Sequence, residues 1–113
     1  MHELRIATEI IDIVQEEMTR RRLSKVTEVH LNLGALTGVD PEALAFGFEA
    51  ATADTAMNGA ALKINFIPVG GKCRSCKNDF ELNEYVFICP KCGSSDLDIN
   101  RGEELDIAYF IGD

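Results

Sequence analysis

The chain has 113 residues, enough for one domain or a small domain carrying a smaller one. Apolar residues make up 46%, normal for a globular protein, and the net charge of −8 argues against the Lys/Arg footprint that a phosphate backbone needs. Charges interrupt every apolar run short of the roughly 20 residues of a membrane span. Glu3, Arg5 and Glu9 break up what would be the apolar core of a secretory signal. The expected location is therefore the cytoplasm, where thiols stay reduced and four cysteines read as metal ligands rather than two disulfides.

Leu4 to Arg22 reads as an amphipathic helix. Ile6, Ile10, Ile13 and Val14 share a stripe that Ala7, Ile11 and Met18 widen. Glu3 and Glu9 lie early and Arg20, Arg21 and Arg22 late, as the helix dipole favours. In "TEVHLNLG", Val29, Leu31 and Leu33 alternate with Glu28, His30 and Asn32, which predicts a half-buried strand ending at Gly34. His30 then points away from the buried face. A second helix starts with Asp40 as N-cap and Pro41 at its first position, and Leu44, Phe48 and Ala51 share a face. Gly47 weakens it by roughly 1 kcal/mol relative to alanine, so packing must support it.

"ALKINFIPV" predicts a strand with Leu62, Ile64 and Phe66 toward the core, and Pro68 suggests an edge at its far end. "GG" at 70 and 71 reads as a boundary. After the cysteine block, "EELDIAYFI" predicts a last strand with Leu105, Ile107, Tyr109 and Ile111 on one face. The simplest arrangement pairs this strand antiparallel with the one ending near Val69, the cysteine block forming the tip of the excursion. The expected fold is thus α+β, two helices on a sheet of about three strands, with an inserted zinc ribbon. Residues 1–70 plus 100–113 would form the α+β domain and 71–99 the ribbon.

The block reads "CRSC", twelve residues, then "CPKCG", and it uses every cysteine of the chain. Each C-x-x-C puts two thiolates on one tight turn, and two such turns close a tetrahedron that suits zinc, with iron the runner-up. Gly93 is free to take the positive φ that the second turn needs. "FEL" and "YVFI" would supply two short strands between the pairs. Cys73, Cys76, Cys89 and Cys92 saturate the metal, so a catalytic water has no place there and the role is structural. Lys72, Arg74, Lys77 and Lys91 offset part of the site's formal charge of −2.

The opening "MHEL" is the other candidate site. Histidine is too bulky for removal of Met1, so the free amine should sit on Met1. That amine, the His2 amide nitrogen and the His2 imidazole can close adjacent chelate rings on one ion, with the Glu3 amide or carboxylate as a fourth donor. Such a nitrogen-rich set suits Ni(II) or Cu(II) better than zinc, calcium or magnesium. It is open and short of ligands, as befits a donor rather than a store.

"MHEL", "GALTGVDPEALAFGFEAAT", "GAALKI", "CRSC…CPKCG" and "GEELDIAYF", in that order and nearly end to end, resemble the HypA/HybF family of nickel metallochaperones for [NiFe]-hydrogenase maturation. The resemblance implies nickel at His2 with the Met1 amine and Glu3, and structural zinc at the four cysteines. It also implies two partners, a HypB-type nickel GTPase and the precursor of the hydrogenase large subunit. A homodimer stays open, and some relatives also serve urease. Some members carry a histidine near the cysteine motifs that can join a metal site; this chain has none there.

Two other classes compete. For a nucleic-acid-binding or protein-binding ribbon without nickel function, residues 72–92 carry a surplus of only +1 while the remainder is −9. For an enzyme, no nucleophile motif, phosphate-binding glycine loop or open metal position assembles a catalytic constellation. Neither nucleic acid nor membrane is an expected partner.

Overall fold

The computed structural model describes residues 2–82 and 86–113, in two compact units. The first comprises Met1–Asn32, Val39–Asn65 and Asp106–Asp113; the second comprises Leu33–Gly38 and Phe66–Leu105.

In the first unit, helix α1 runs from His2 to Arg21 and buries Ala7, Ile10, Ile11, Val14 and Met18. Of the predicted stripe, Ile6 is half-buried and Ile13 is exposed, because the seam through positions 7, 10, 14 and 18 leaves each of them one 100° step off the buried face. The helix closes with Arg22 in the left-handed region at φ 57°. There the Leu23 N–H donates to the Met18 carbonyl at 2.9 Å and the Arg22 N–H to Thr19 at 3.3 Å, the paired bonds of a Schellman motif. Arg20 and Arg21 reach back to Glu16 and Glu17 as ion pairs, so the basic triplet is a solvated helix end.

Strand β1, Val26–Gly34, buries Val26, Val29, Leu31 and Leu33. Helix α2, Pro41–Thr52, starts as predicted: the Asp40 carboxylate accepts from the Glu42 N–H at 2.9 Å and the Ala43 N–H at 3.5 Å. Leu44 and Phe48 are buried, as is Gly47, where α1 crosses close by. A Cβ built on Gly47 would lie 3.6 Å from the Leu4 Cα and 3.8 Å from the Ala7 Cβ. This packing supports the weakened helix.

Strands β2, Ala61–Ile67, and β6, Leu105–Gly112, flank β1 in a three-stranded sheet of order β2-β1-β6. The expected pairing of β2 with β6 is therefore corrected: β1 lies between them. Lys25 and Asp113 exchange both backbone hydrogen bonds, at 3.0 and 3.1 Å, and the Asn32 amide reaches Asp106 at 3.1 Å, so β6 runs antiparallel to β1. As an edge strand β2 has one neighbour, and Phe66, expected in the core, is exposed. On the other edge, Leu105, Tyr109 and Ile111 are exposed as well. His30 is only half-buried, because its ring stacks on Tyr109 at a centroid distance of 4.2 Å and bonds Glu28 at 2.7 Å.

The second unit holds another three-stranded sheet, β4-β3-β5, from β3 (Val69–Cys73), β4 (Asp79–Leu82) and β5 (Leu97–Arg101). Both partners pair antiparallel with β3. Of the two strands expected between the cysteine pairs, "FEL" forms β4. In "YVFI", Val86, Phe87 and Ile88 are not strand, and Tyr85 lies outside the described residues. The free edge of β3 is taken instead by β5, after the second cysteine pair. The "GG" boundary is also corrected, since Gly70 and Gly71 are buried inside β3. A Cβ on Gly71 would overlap the Asp98 carbonyl of β5, so close strand approach, not a linker, requires glycine here.

Candidate metal sites

The four cysteines sit on two turns that are local copies of one another. In the first, the Cys73 N–H donates to Asn78 and the Lys77 N–H to Cys73, each at 2.9 Å. In the second, the Cys89 N–H donates to Ser94 at 2.8 Å and the Gly93 N–H to Cys89 at 2.9 Å. The residue after the second cysteine is left-handed in both, Lys77 at φ 66° and Gly93 at φ 79°. Gly93 thus takes the conformation its sequence position predicts, whereas Lys77 gave no signal, because only glycine advertises a positive φ. Across the turns the Ser75 and Ser94 hydroxyls meet at 3.0 Å, and Arg74 pairs with Asp96 at 3.1 Å.

All four sulfurs lie within 4.8 Å of one another, with Cys73–Cys92 at 3.6 Å and Cys76–Cys89 at 3.7 Å. These are not disulfides, and all four thiols are free. A tetrahedron with sulfurs about 2.3 Å from its centre has edges of about 3.8 Å. The cluster therefore has the size and chemistry of a four-thiolate metal cage. Cys73 and Cys89 are buried with Phe80 in the core of this unit, where Leu82, Leu97 and Ile99 pack against them, while Cys92 is exposed.

The turn amides prepare the sulfurs for a cation. The Cys76 N–H, donating at 3.4 Å, is the main influence holding the Cys73 thiol below its usual range. The Cys92 N–H, then that of Lys91, brings Cys89 down to about 6 against burial. For Cys92 the Ser94 N–H pulls the other way but loses to Cys73, burial, Cys76 and Cys89, which push it up to about 12. Without a metal, one sulfur of each turn is thus held toward the thiolate, a charge that a bound cation relieves.

At the other candidate site, Met1 lies outside the described residues, and His2 and Glu3 form the first turn of α1. The His2 side chain is 61% exposed, and its Nε2 lies 3.8 Å from a Glu3 carboxylate oxygen. That carboxylate also accepts from the Asp40 backbone N–H at 3.5 Å. Its own backbone N–H, then that of Asp40 and the charge of His2, hold the Glu3 carboxyl below the usual glutamate range against burial. Asp40 thus serves twice, its side chain capping α2 and its backbone holding Glu3. Nothing in the sequence pattern links positions 3 and 40.

A family profile for hydrogenase/urease nickel incorporation metallochaperones, HypA, matches residues 1–111. The chain belongs to the HypA family. Hydrogenase maturation factor HypA of Geotalea uraniireducens (strain Rf4) is 42% identical over 107 residues, covering 95% of this chain and 94% of the relative. Hydrogenase maturation factor HybF of Morganella morganii is 35% identical over 113 residues, all of both chains. The solution structure of the Ni metallochaperone HypA from Helicobacter pylori shares the fold with a TM-score of 0.63 at 22% identity, covering 96% of this chain and 94% of that one. HypA proteins are metallochaperones rather than enzymes, as the missing catalytic constellation led us to expect. No described helix is long and apolar enough to cross a membrane.

Proposed function

We propose that the protein carries Ni(II) at its N-terminus and delivers it to the precursor of the [NiFe]-hydrogenase large subunit during maturation. The ligands are the Met1 amine, the His2 amide nitrogen and imidazole, and a fourth donor from Glu3. The observation that carries this reading is the exposed His2 ring in the first turn of α1, 3.8 Å from the Glu3 carboxylate. The first N–H groups of a helix have no intrahelical acceptor, so the amides at positions 2 and 3 can give up a proton to a metal without breaking the helix. A nitrogen-rich tetragonal set suits Ni(II), and an exposed site lets an acceptor replace its ligands one at a time.

The four cysteines hold zinc, which has no geometric preference to fight the tetrahedral cage and is saturated by it. Its role is to close the ribbon. A HypB-type nickel GTPase is the second expected partner, and the cytoplasm the expected location, where the thiols stay reduced.

Metal analysis of untagged protein tests the reading. The protein should bind one nickel per chain in addition to zinc. His2→Ala, or an uncleaved N-terminal tag that blocks the amine, should each remove the nickel equivalent and leave the zinc. Unchanged nickel stoichiometry in either one would overturn the assignment.

A further inference from the structure

Five of the chain's six asparagines are followed by a residue with a side chain: Leu33, Phe66, Asp79, Glu84 and Arg101. Asn58 is followed by Gly59. The pair lies in the connection between α2 and β2, and both residues are exposed. There the Ala60 N–H donates to the Met57 carbonyl at 3.0 Å, so Asn58 and Gly59 are the two central residues of a tight turn. Gly59 has φ 87° and Asn58 has no positive φ, the pattern of a type II turn, which favours glycine at its third position.

Two polar groups at this turn are left over. Among the described residues, neither the Asn58 side-chain amide nor the Gly59 backbone N–H has a hydrogen-bond partner. A Cβ built on Gly59 would meet nothing within 4 Å. Asparagines in the strands are held differently: the Asn32 amide donates to Asp106 and the Asn65 amide to Asn32, each at 3.1 Å. At Asn58 a free carboxamide, an electrophile, stands beside an unhindered backbone nitrogen, a nucleophile once deprotonated. A side chain at the following position would crowd that nitrogen, and glycine has none.

We infer that Asn58 is a site of spontaneous deamidation, through attack of the Gly59 nitrogen on the Asn58 side-chain carbonyl. The nitrogen gives its proton to hydroxide or water and forms a bond to Cγ. The bond from Cγ to the side-chain nitrogen breaks, and ammonia leaves with a proton from solvent, giving a five-membered succinimide. Water then opens the ring at one of its two carbonyls. Opening at the backbone carbonyl routes the chain through Cγ and leaves isoaspartate; opening at the side-chain carbonyl leaves aspartate. The net exchange is one water for one ammonia, with nothing oxidised or reduced.

Either product adds a carboxylate and takes the net charge from −8 to −9. The charge arrives in a groove of about 410 Å³ between α2 and β2 that Glu49 already lines. Isoaspartate also inserts an extra backbone carbon between Met57 and Ala60. Met57 is fully buried and cannot follow the longer chain, so the turn hydrogen bond to Ala60 is lost. The edge strand β2 begins at the next residue. The damage therefore falls on the first unit and not on the cysteine cage.

The test incubates the untagged, zinc-loaded full chain in mildly alkaline buffer. Isoelectric focusing should show a new band one charge more acidic, matched by released ammonia and growing faster as pH rises. Peptide mapping should place the change at Asn58, and an isoaspartyl carboxyl methyltransferase should label the product. Asn58→Gln, whose longer side chain closes a larger ring more slowly, should lose both band and label. Hydrogen exchange should show protection lost at Ala60 in the aged protein but kept in Asn58→Asp, which carries the charge without the extra carbon. An intact Asn58 while another asparagine converts, an undiminished band in Asn58→Gln, or conversion only in unfolded protein would overturn the inference.

Discussion

Thirty-seven positions separate Glu3 from Asp40, yet a backbone N–H of the second steadies the carboxylate of the first. A carboxyl held low in the folded chain adds stability at pH above its unfolded value, and that contribution disappears as pH falls through the lower folded value. In metal-free protein the Glu3 side-chain carboxyl should therefore titrate below an ordinary glutamate, and the Asp40 amide signal should move with it. An NMR titration in which Glu3 shows an ordinary midpoint, or Asp40 fails to follow, would refute the contact. Lys77 and Gly93 offer a second comparison at this scale. They hold the same left-handed position in two copied turns, where a side chain costs roughly 1–2 kcal/mol. Gly93→Ala should weaken metal retention against a competing chelator by about fivefold, for roughly 1 kcal/mol. Lys77→Gly should strengthen it, by less, since the Lys77 ammonium also bonds the Arg74 carbonyl at 3.0 Å. Equal effects in the same direction would contradict the shared geometry.

Among the elements, α2 carries the clearest expected gain. The space at Gly47 admits a Cβ at ordinary contact distance from Leu4 and Ala7, and an interior helix glycine costs roughly 0.5–1 kcal/mol relative to alanine. Gly47→Ala should raise the stability to denaturant by about that amount; a loss would mean that α1 lies closer than described. The elements are also where sequence was most and least informative. Asp40-Pro41 announced the start of α2, and the C-x-x-C spacing announced the cage, because each rests on chemistry within a few residues. The order β2-β1-β6 was illegible. Alternation tells which face of a strand is buried but not which strand lies beside it, and so the two flanking strands were wrongly paired with each other. "YVFI" read as strand from its β-branched and aromatic residues, yet Val86–Ile88 belong to the approach to Cys89. There the demands of the turn outrank propensity.

For the whole molecule, the division into two units makes metal removal selective. The buried apolar set of the second sheet is little more than Phe80 with Leu82, Leu97 and Ile99 packed around the cysteines, so its folding leans on the metal. The first unit has its own core of Val14, Leu31, Leu44, Phe48 and Met57. Chelation, or Cys73→Ser, should therefore abolish hydrogen-exchange protection at Gly71 and Ile99 while Val14 and Leu31 keep theirs. Simultaneous loss in both units would show a single cooperative body instead. The direction with pH follows from the thiols: retention should weaken as pH falls through about 6, where protons compete with the metal for the Cys89 thiolate.

The glycine pair of β3 has a practical side. Because position 70 faces Glu81 and Arg101, and position 71 faces Phe80 and Ile99, the segment resembles a loom on which neighbouring threads are fastened, and scissors applied there cut through fabric rather than along a seam. A fragment for separate expression has to include Val69; one begun at Gly71 would leave Leu82 without that partner.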